Sequence, residues 1–308
     1  MKLKQLFFAF LLCAPLTAVA QDIEINAENF PDENFRSYLI SKDYGEDGVL
    51  TEAEIKGVTY LNVSDKDISN LKGIEYFTAL TELRCENNRL TTLDVSKNTA
   101  LEYLYCQSNQ LTSLSLSQNL ALVVLYCNSN KLTTLDISGC TSLEQLECSY
   151  NELTSLSVSG CTALRVLSCH YNGMTSLDIS KCSALVSISC RMNQLKGKAM
   201  DSLVSNLPQN VTEYEYILTV LYNPLNENEG NVCTKSQVAA IKAKGWTPHY
   251  YNGTEWTEYE GSDDESANIT QPELQNGTAP ICNLAGQRVT TPQKGGIYIV
   301  GGKKVVVK

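Results

Sequence analysis

The amino-acid sequence predicts an α/β repeat solenoid of 21-residue units, with a parallel β-sheet along its concave face. Three periodic features predict it. Cysteine recurs every 21 residues, at Cys85, Cys106, Cys127, Cys148, Cys169 and Cys190. Asparagine follows three residues behind each, at Asn88, Asn109, Asn130, Asn151, Asn172 and Asn193. Apolar pairs lead in, from Leu80/Leu83 through Leu164/Leu167 to Leu185/Ile188, and Leu90, Leu111, Leu132, Leu153, Met174 and Leu195 follow. A unit this short cannot bury its own apolar side, so it gains a core only by stacking on its neighbours.

The chain opens with Lys2 and Lys4, an apolar run from Leu6 to Leu12 and an A-x-A-like site at Ala18 to Ala20. That is the layout of a secretory signal peptide over residues 1–20, and it places the mature chain outside the cytoplasm. Leu12 stands before Cys13, where a lipoprotein signal wants a small residue. The run is too short to span a bilayer and no second long apolar segment follows, so no membrane span is expected. Loss of Lys2 and Lys4 takes the formal charge from −10 to −12. An acidic chain without a basic stripe is a poor binder of nucleic acid or anionic membrane.

Residues 21–57 predict a helical N-terminal cap. Phe30, Phe35, Leu39 and Ile40 suit a short amphipathic helix after Pro31. The following "DYGEDGVLTEAE" is similar to an EF-hand calcium loop. Asp43, Asp47, Gly48, Leu50, Thr51 and Glu54 match positions one, five, six, eight, nine and twelve, while position three is Gly45. One oxygen ligand is thus missing, which leaves two readings: a structural relic, or weak calcium at Asp43, Asp47 and Glu54. No other cofactor is expected.

Repeats span 58–195, led by a less regular unit at 58–78. The outline L-x-x-L-x-C-x-x-N-x-L resembles the leucine-rich repeat, with cysteine at the third inward strand position, and implies a horseshoe. Behind each asparagine, pairs such as Leu93/Val95, Leu135/Ile137 and Leu177/Ile179 alternate, predicting a second extended stretch on the convex side. The ladder asparagines are expected to hydrogen-bond the backbone where the chain leaves the strand.

The cysteines raise four readings: packing, disulfides, a metal or a nucleophile. Stacked strands lie about 4.8 Å apart with parallel Cβ vectors, which opposes a disulfide and the convergence that zinc needs. An apolar site raises a thiol pKa, which opposes nucleophilic use, and His170 faces away from Cys169. Packing is therefore the expectation. A second set, Cys140, Cys161 and Cys182, occupies the repeat position of Asn98 and Asn119.

Residues 196–260 predict a small α/β C-terminal cap: a helix ending before Pro208, a strand over "TEYEYILTVLY", a helix from Thr234 to Gly245, and aromatic strands turning at Asn252-Gly253. Trp246 and Trp256 are expected in the cap core, a sugar platform being the alternative. A polar linker fills 261–280, and 281–308 forms a short β-rich tail module with glycine turns.

Two further resemblances follow from these residues. The cap with "LKGIEYFTAL" behind it resembles the N-terminal cap of internalin-like bacterial repeat proteins, implying an EF-hand-derived element that need not bind metal. The G-Q-R-V, G-I-Y-I-V and K-V-V-V-K pieces resemble the C-terminal sorting domain of type IX secretion, implying an extracellular address. An accessory β module without that role stays open.

Residues alternating with the inward leucines face the concave surface. There the middle units gather Tyr103, Tyr105, Gln107, Val124, Tyr126 and Asn128, and later units add Glu147, Tyr150, His170 and Tyr171. Tyrosine offers apolar area with a hydroxyl and is enriched at binding hot spots. These residues point to a secreted or cell-surface binding protein for a protein or glycan partner, with adhesion or host interaction as a use. The alternatives are a structural surface-layer spacer and an enzyme. Only His170 and His249 are histidines, and no G-x-S-x-G or phosphate loop occurs, so an enzyme is not expected. The sequence leaves the oligomeric state open.

Overall fold

The structure is a computed structural model describing residues 22–210, 215–221, 229–251, 254–263, 281–282, 287, 289, 297–300 and 303–306. The signal peptide 1–20, the Asn252-Gly253 turn, residues 264–280 of the linker and most of the tail lie outside them. Among the described residues no helix is long and apolar enough to cross a membrane.

The N-terminal cap runs β1 (Ile23–Glu24), α1 (Glu33–Ile40), β2 (Val49–Leu50) and α2 (Glu52–Gly57), with β1 and β2 antiparallel. Asp32 starts α1 by accepting the Phe35 N–H at 3.0 Å. Its second oxygen accepts the Ser69 N–H and O–H at 2.8 Å, tying the cap to the first turn of the solenoid. Phe35 and Leu39 are one helical turn apart and both buried, whereas Ile40, expected on the same face, is 45% exposed. One residue further along a helix is about 100° round it, which carries Ile40 off the core face.

The repeats follow as β3 (Tyr60–Asn62), β4 (Glu82–Arg84), β5 (Tyr103–Tyr105), β6 (Val124–Tyr126), β7 (Gln145–Glu147), β8 (Ser155–Ser157), β9 (Val166–Ser168), β10 (Ser176–Asp178) and β11 (Ser187–Ser189). All but β8 and β10 join one parallel sheet with equivalent repeat positions paired. Leu83, Leu104, Leu125, Leu146, Leu167 and Ile188 stack as a buried column, and the six ladder cysteines form another beside it. On the convex side β8 and β10 pair in parallel and Ser115 bridges Asp136, so the second extended stretch forms as expected.

Each ladder asparagine stitches turns together. The Asn130 amide donates to Cys106 O at 3.0 Å and Cys127 O at 3.1 Å, and its carbonyl accepts the Leu111 N–H at 2.9 Å. Asn109 repeats the pattern with Cys85, Cys106 and Leu90. The residue just before each one is left-handed: Asn87, Ser108, Ser129, Tyr150, Tyr171 and Met192 have φ between 51° and 56°. That kink swings the asparagine inward.

The C-terminal cap comprises α3 (Lys198–Asn206), β12 (Tyr216–Leu221), α4 (Lys235–Ala243), β13 (Trp246–Tyr251) and β14 (Trp256–Glu258). β12 and β13 extend the large sheet in parallel and β14 closes it antiparallel. Thr234 and Gln237 form a capping box for α4, and Gly245 ends the turn after it at φ 77°. Asn231 repeats the ladder role out of period: its amide donates to Cys190 O and Val220 O at 2.8 Å, and it accepts the Leu195 N–H at 2.8 Å. In the tail, β15 (Ile281–Cys282), β16 (Ile297–Val300) and β17 (Lys303–Val306) form an antiparallel sheet.

Asn130→Ala strands one buried N–H and removes the donor from three carbonyls. It should lower unfolding free energy by about 2–3 kcal/mol, read as a shift in urea midpoint. An unchanged midpoint would remove the ladder's role.

Candidate binding surface

The cysteines resolve as packing. Ten described cysteines are free thiols and all are buried. Burial pushes the Cys106 thiol up to about 12 and holds Cys85, Cys127, Cys148 and Cys169 well above the ordinary thiol value. Among the described residues no group of three or more His, Cys, Asp or Glu side chains converges on a metal position. The second set serves the convex turn, where Cys182 Sγ donates to Val158 O at 2.9 Å and Cys161 Sγ to Ile137 O at 3.5 Å. Those carbonyls occupy the repeat position of Val95 O, which takes the Asn119 amide at 3.0 Å.

The cap loop uses its carboxylates locally. Glu54 Oε2 accepts the Thr51 N–H and O–H at 2.8 Å in a capping box, and Asp47 accepts the Val49 N–H at 3.0 Å. Asp43, exposed, starts a single turn of 3₁₀ helix. Gly45 is buried, and a Cβ there would lie 2.4 Å from the Leu39 carbonyl oxygen. Close packing on α1 therefore explains why position three carries no carboxylate.

On the concave face the in-register strands set three columns. Tyr103, Val124 and Gln145 are consecutive in one, Tyr105, Tyr126 and Glu147 in the next. Val124 is 8% exposed and does not present the surface expected of it. Its short side chain lies between the longer Tyr103 and Gln145. The third column carries Gln107, Asn128, Ser149, His170 and Arg191, one residue beyond the cysteines.

Two aromatic clusters stand out. In the first, Tyr105 and Tyr126 meet edge-to-face at 5.3 Å, and the Arg84 guanidinium lies 4.8 Å from the Tyr105 ring. Glu86 pairs with Arg84 at 3.0 Å. In the second, Tyr150 and Tyr171 stack at 4.5 Å with planes 9° apart, and His170 meets both edge-on. Arg191 lies 5.8 Å from the Tyr171 ring and 5.2 Å from Trp256. Tyr150 and Trp256 are each 48% exposed. Trp246 is in the cap core as expected; Trp256 instead joins this surface, because β14 is the sheet's edge strand and covers nothing. Arg191, which its place one residue after Cys190 puts on the concave face, joins this cluster as well.

The first cluster is built on strands, but the second rests on strained backbone. Tyr150 and Tyr171 are left-handed, φ 53° and 51°, a region costing a residue with a Cβ roughly 1–2 kcal/mol. Asn87, Ser108 and Ser129 put small side chains at the same place.

With this geometry in view, comparison with known proteins is informative. Internalin J of Listeria monocytogenes is 38% identical over 71 residues, 23% of this chain and 8% of that protein. The solved functional domain of InlJ from Listeria monocytogenes, which includes a cysteine ladder, is 32% identical with a TM-score of 0.55. That match covers 66% of this chain and 47% of the other. This chain has an internalin-like leucine-rich repeat fold. Internalin C2 of the same organism, at 22% identity and TM-score 0.54, shares the fold over 69% of this chain and 96% of its own. No family model matches. The internalin-like chain thus spans less than half of the InlJ domain and a small part of Internalin J.

Two measurements test the site chemistry. Most cysteines of the internalin-like protein should react with a thiol reagent in denaturant without reductant and stay unreactive in the native state; resistance in denaturant would show disulfides. Burial, then the nearby Arg191 charge, pushes His170 down to about 4 from 6.5. The unfolded chain therefore binds the extra proton first, and stability falls as pH drops from 6.5 towards 4. His170→Gln should flatten that part of the pH–stability curve, and an imidazole NMR midpoint near 6.5 would contradict the assignment.

Proposed function

We propose that the protein is an exported, surface-exposed binding protein that engages a protein partner through its concave face. The observation that carries this reading is the Tyr150/Tyr171 stack. Two bulky rings stack in parallel, Tyr150 exposed and Tyr171 half-buried. The left-handed position they occupy recurs in every ladder turn, and only these two turns place a ring there. Nothing in the core needs these rings, since the stack lies outside the leucine and cysteine columns.

Around it the surface has the make-up of an interface centre. Tyrosine, tryptophan and arginine are the residue types that dominate hot spots, and Arg84 and Arg191 lie against rings. The in-register sheet gives these side chains a rigid base, which limits the entropy lost on binding. The internalin-like fold supports a protein as the partner, and adhesion or host interaction is the use that fits export. The signal peptide and the sorting-like tail are the proposed route to the outside. Binding rather than catalysis fits His170, which is held neutral, and the ladder thiols, which are held protonated.

The test separates stability from binding. Tyr150→Asn with Tyr171→Asn should leave the melting temperature unchanged or raise it, because asparagine, which Asn87 already places in this conformation, tolerates left-handed backbone. The same change, and separately Tyr105→Ala with Tyr126→Ala, should weaken partner capture in a quantitative pull-down by about tenfold or more. A convex-face control, Thr133→Ala, should do neither. Capture that survives both concave variants would favour a surface-layer spacer, in which the repeats act only as scaffold.

A further inference from the structure

A second feature lies at the other end of the concave face, apart from both aromatic clusters. A cavity of about 430 Å³ opens between α1 and β3. Its walls include three phenol rings, Tyr38, Tyr44 and Tyr60, and two cations, Lys42 and Lys66. The chain has 34 acidic residues against 24 lysines and arginines, yet no carboxylate lines this cavity.

The two ammonium groups lie near one ring. Lys42 Nζ lies 4.5 Å from the Tyr38 ring centroid and Lys66 Nζ lies 5.6 Å from the same point. Among the described residues neither forms an ion pair, although five other lysines and arginines do. Two cations on one cavity wall, with no carboxylate beside them, attract an anion together.

Asn62 Oδ1 already accepts the Ser64 N–H at 3.0 Å and the Ser64 O–H at 2.6 Å, so its amide N–H groups are what it has left to offer. The Tyr38 and Tyr44 hydroxyls hydrogen-bond each other, and the Tyr60 hydroxyl is a further donor. Lysine binds a phosphate or sulfate oxyanion as a point charge approached from several directions, and an arginine fork can serve the same oxyanion. At the rim Tyr60 is 50% exposed and presents a flat ring to whatever carries the anion.

We propose that this cavity binds a sulfate or phosphate monoester carried on a sugar, with the oxyanion between Lys42 and Lys66 and the sugar ring against Tyr60. Isothermal titration calorimetry on the purified chain with glucose 6-sulfate, glucose 6-phosphate, glucose and inorganic sulfate tests it. At least one ester should bind saturably, about tenfold tighter than inorganic sulfate, and glucose should give no heat. The tighter ester identifies the source of the oxyanion. Lys42→Gln with Lys66→Gln should weaken the ester about tenfold or more, Lys42→Arg should keep it, and Tyr60→Ala should erase its advantage over inorganic sulfate. NMR shift mapping on the unmodified chain needs no variant: changes should centre on Lys42, Asn62 and Lys66. No saturable heat from either ester, binding that survives the double variant, or shifts centred on Arg191 would each overturn the proposal.

Discussion

The side-chain amide of the ladder asparagine is the contact on which the rest of the molecule depends. From Asn109 to Asn193 each one donates to carbonyls three and 24 residues behind it and accepts an N–H 19 residues behind it, as Asn130 does with Cys127, Cys106 and Leu111. An amide has fixed reach, so the same bonded atoms must come to it in every turn. Where the unit is irregular the separations change while the bonds stay: Asn88 donates to Val63 O and accepts the Ile68 N–H, 25 and 20 residues back. That requirement, with leucine packing, fixes how each turn stacks. Leucines tolerate small shifts in a core; a buried polar group without its partner does not. The same requirement forces the left-handed residue before each asparagine, because the chain must kink there to turn the amide inward. The cap obeys it too. Asn231 reaches Cys190 O and Leu195 N across a break in the period, so the last turn is closed by the same chemistry as the others.

Locking the inner columns in this way frees the outer ones. Strand residues that alternate with the buried leucines carry no structural duty, and their identities vary from turn to turn: Glu82, Tyr103, Val124, Gln145, Val166 and Ser187 share one column. Variation along a rigid sheet makes the surface a gradient of chemistry. Cations and phenols gather by the N-terminal cap, edge-to-face tyrosines in the middle, and a stacked pair with arginine and tryptophan near the C-terminal cap. The kink that the ladder imposes also serves the surface, since it projects Tyr150 and Tyr171 outward side by side.

The parts legible in the sequence are those set by local period. Repeat length, strand positions and cysteine burial follow from spacings that stacking makes cooperative. What escaped sequence reading depends on residues brought together by stacking across turns. Val124 is buried because its column neighbours are longer, and neighbours in a column are 21 residues apart in the chain. Trp256 is exposed because β14 is an edge strand, and composition alone placed it in the core. Ile40 fell off the helix face by a single step. The Lys42–Lys66 cavity joins a helix end to a loop after β3, and no motif spans that distance. Asn231 was missed for the opposite reason: its role is periodic but its position is not.

The second cysteine set shows how one hydrogen-bonding need can be met by two unlike residues. Asn98 and Asn119 each place an amide on two buried carbonyls of the convex turn: Ile74 O and Phe77 O for the first, Val95 O and Asn98 O for the second. Their own carbonyl oxygens, however, are buried with no partner within the described protein. A thiol at the same place is a weaker donor, but it brings no strong acceptor to be left unpaired. Leaving a buried acceptor unsatisfied costs about 1–3 kcal/mol, comparable with the stronger bonds the amide makes. The exchange is therefore close to neutral, and the chain moves from Asn to Cys140, Cys161 and Cys182 without disturbing the turn. Two parallel cysteine columns in one solenoid then need no redox or metal explanation. One column packs the concave core, and the other caps convex carbonyls with a side chain small and apolar enough to stay buried.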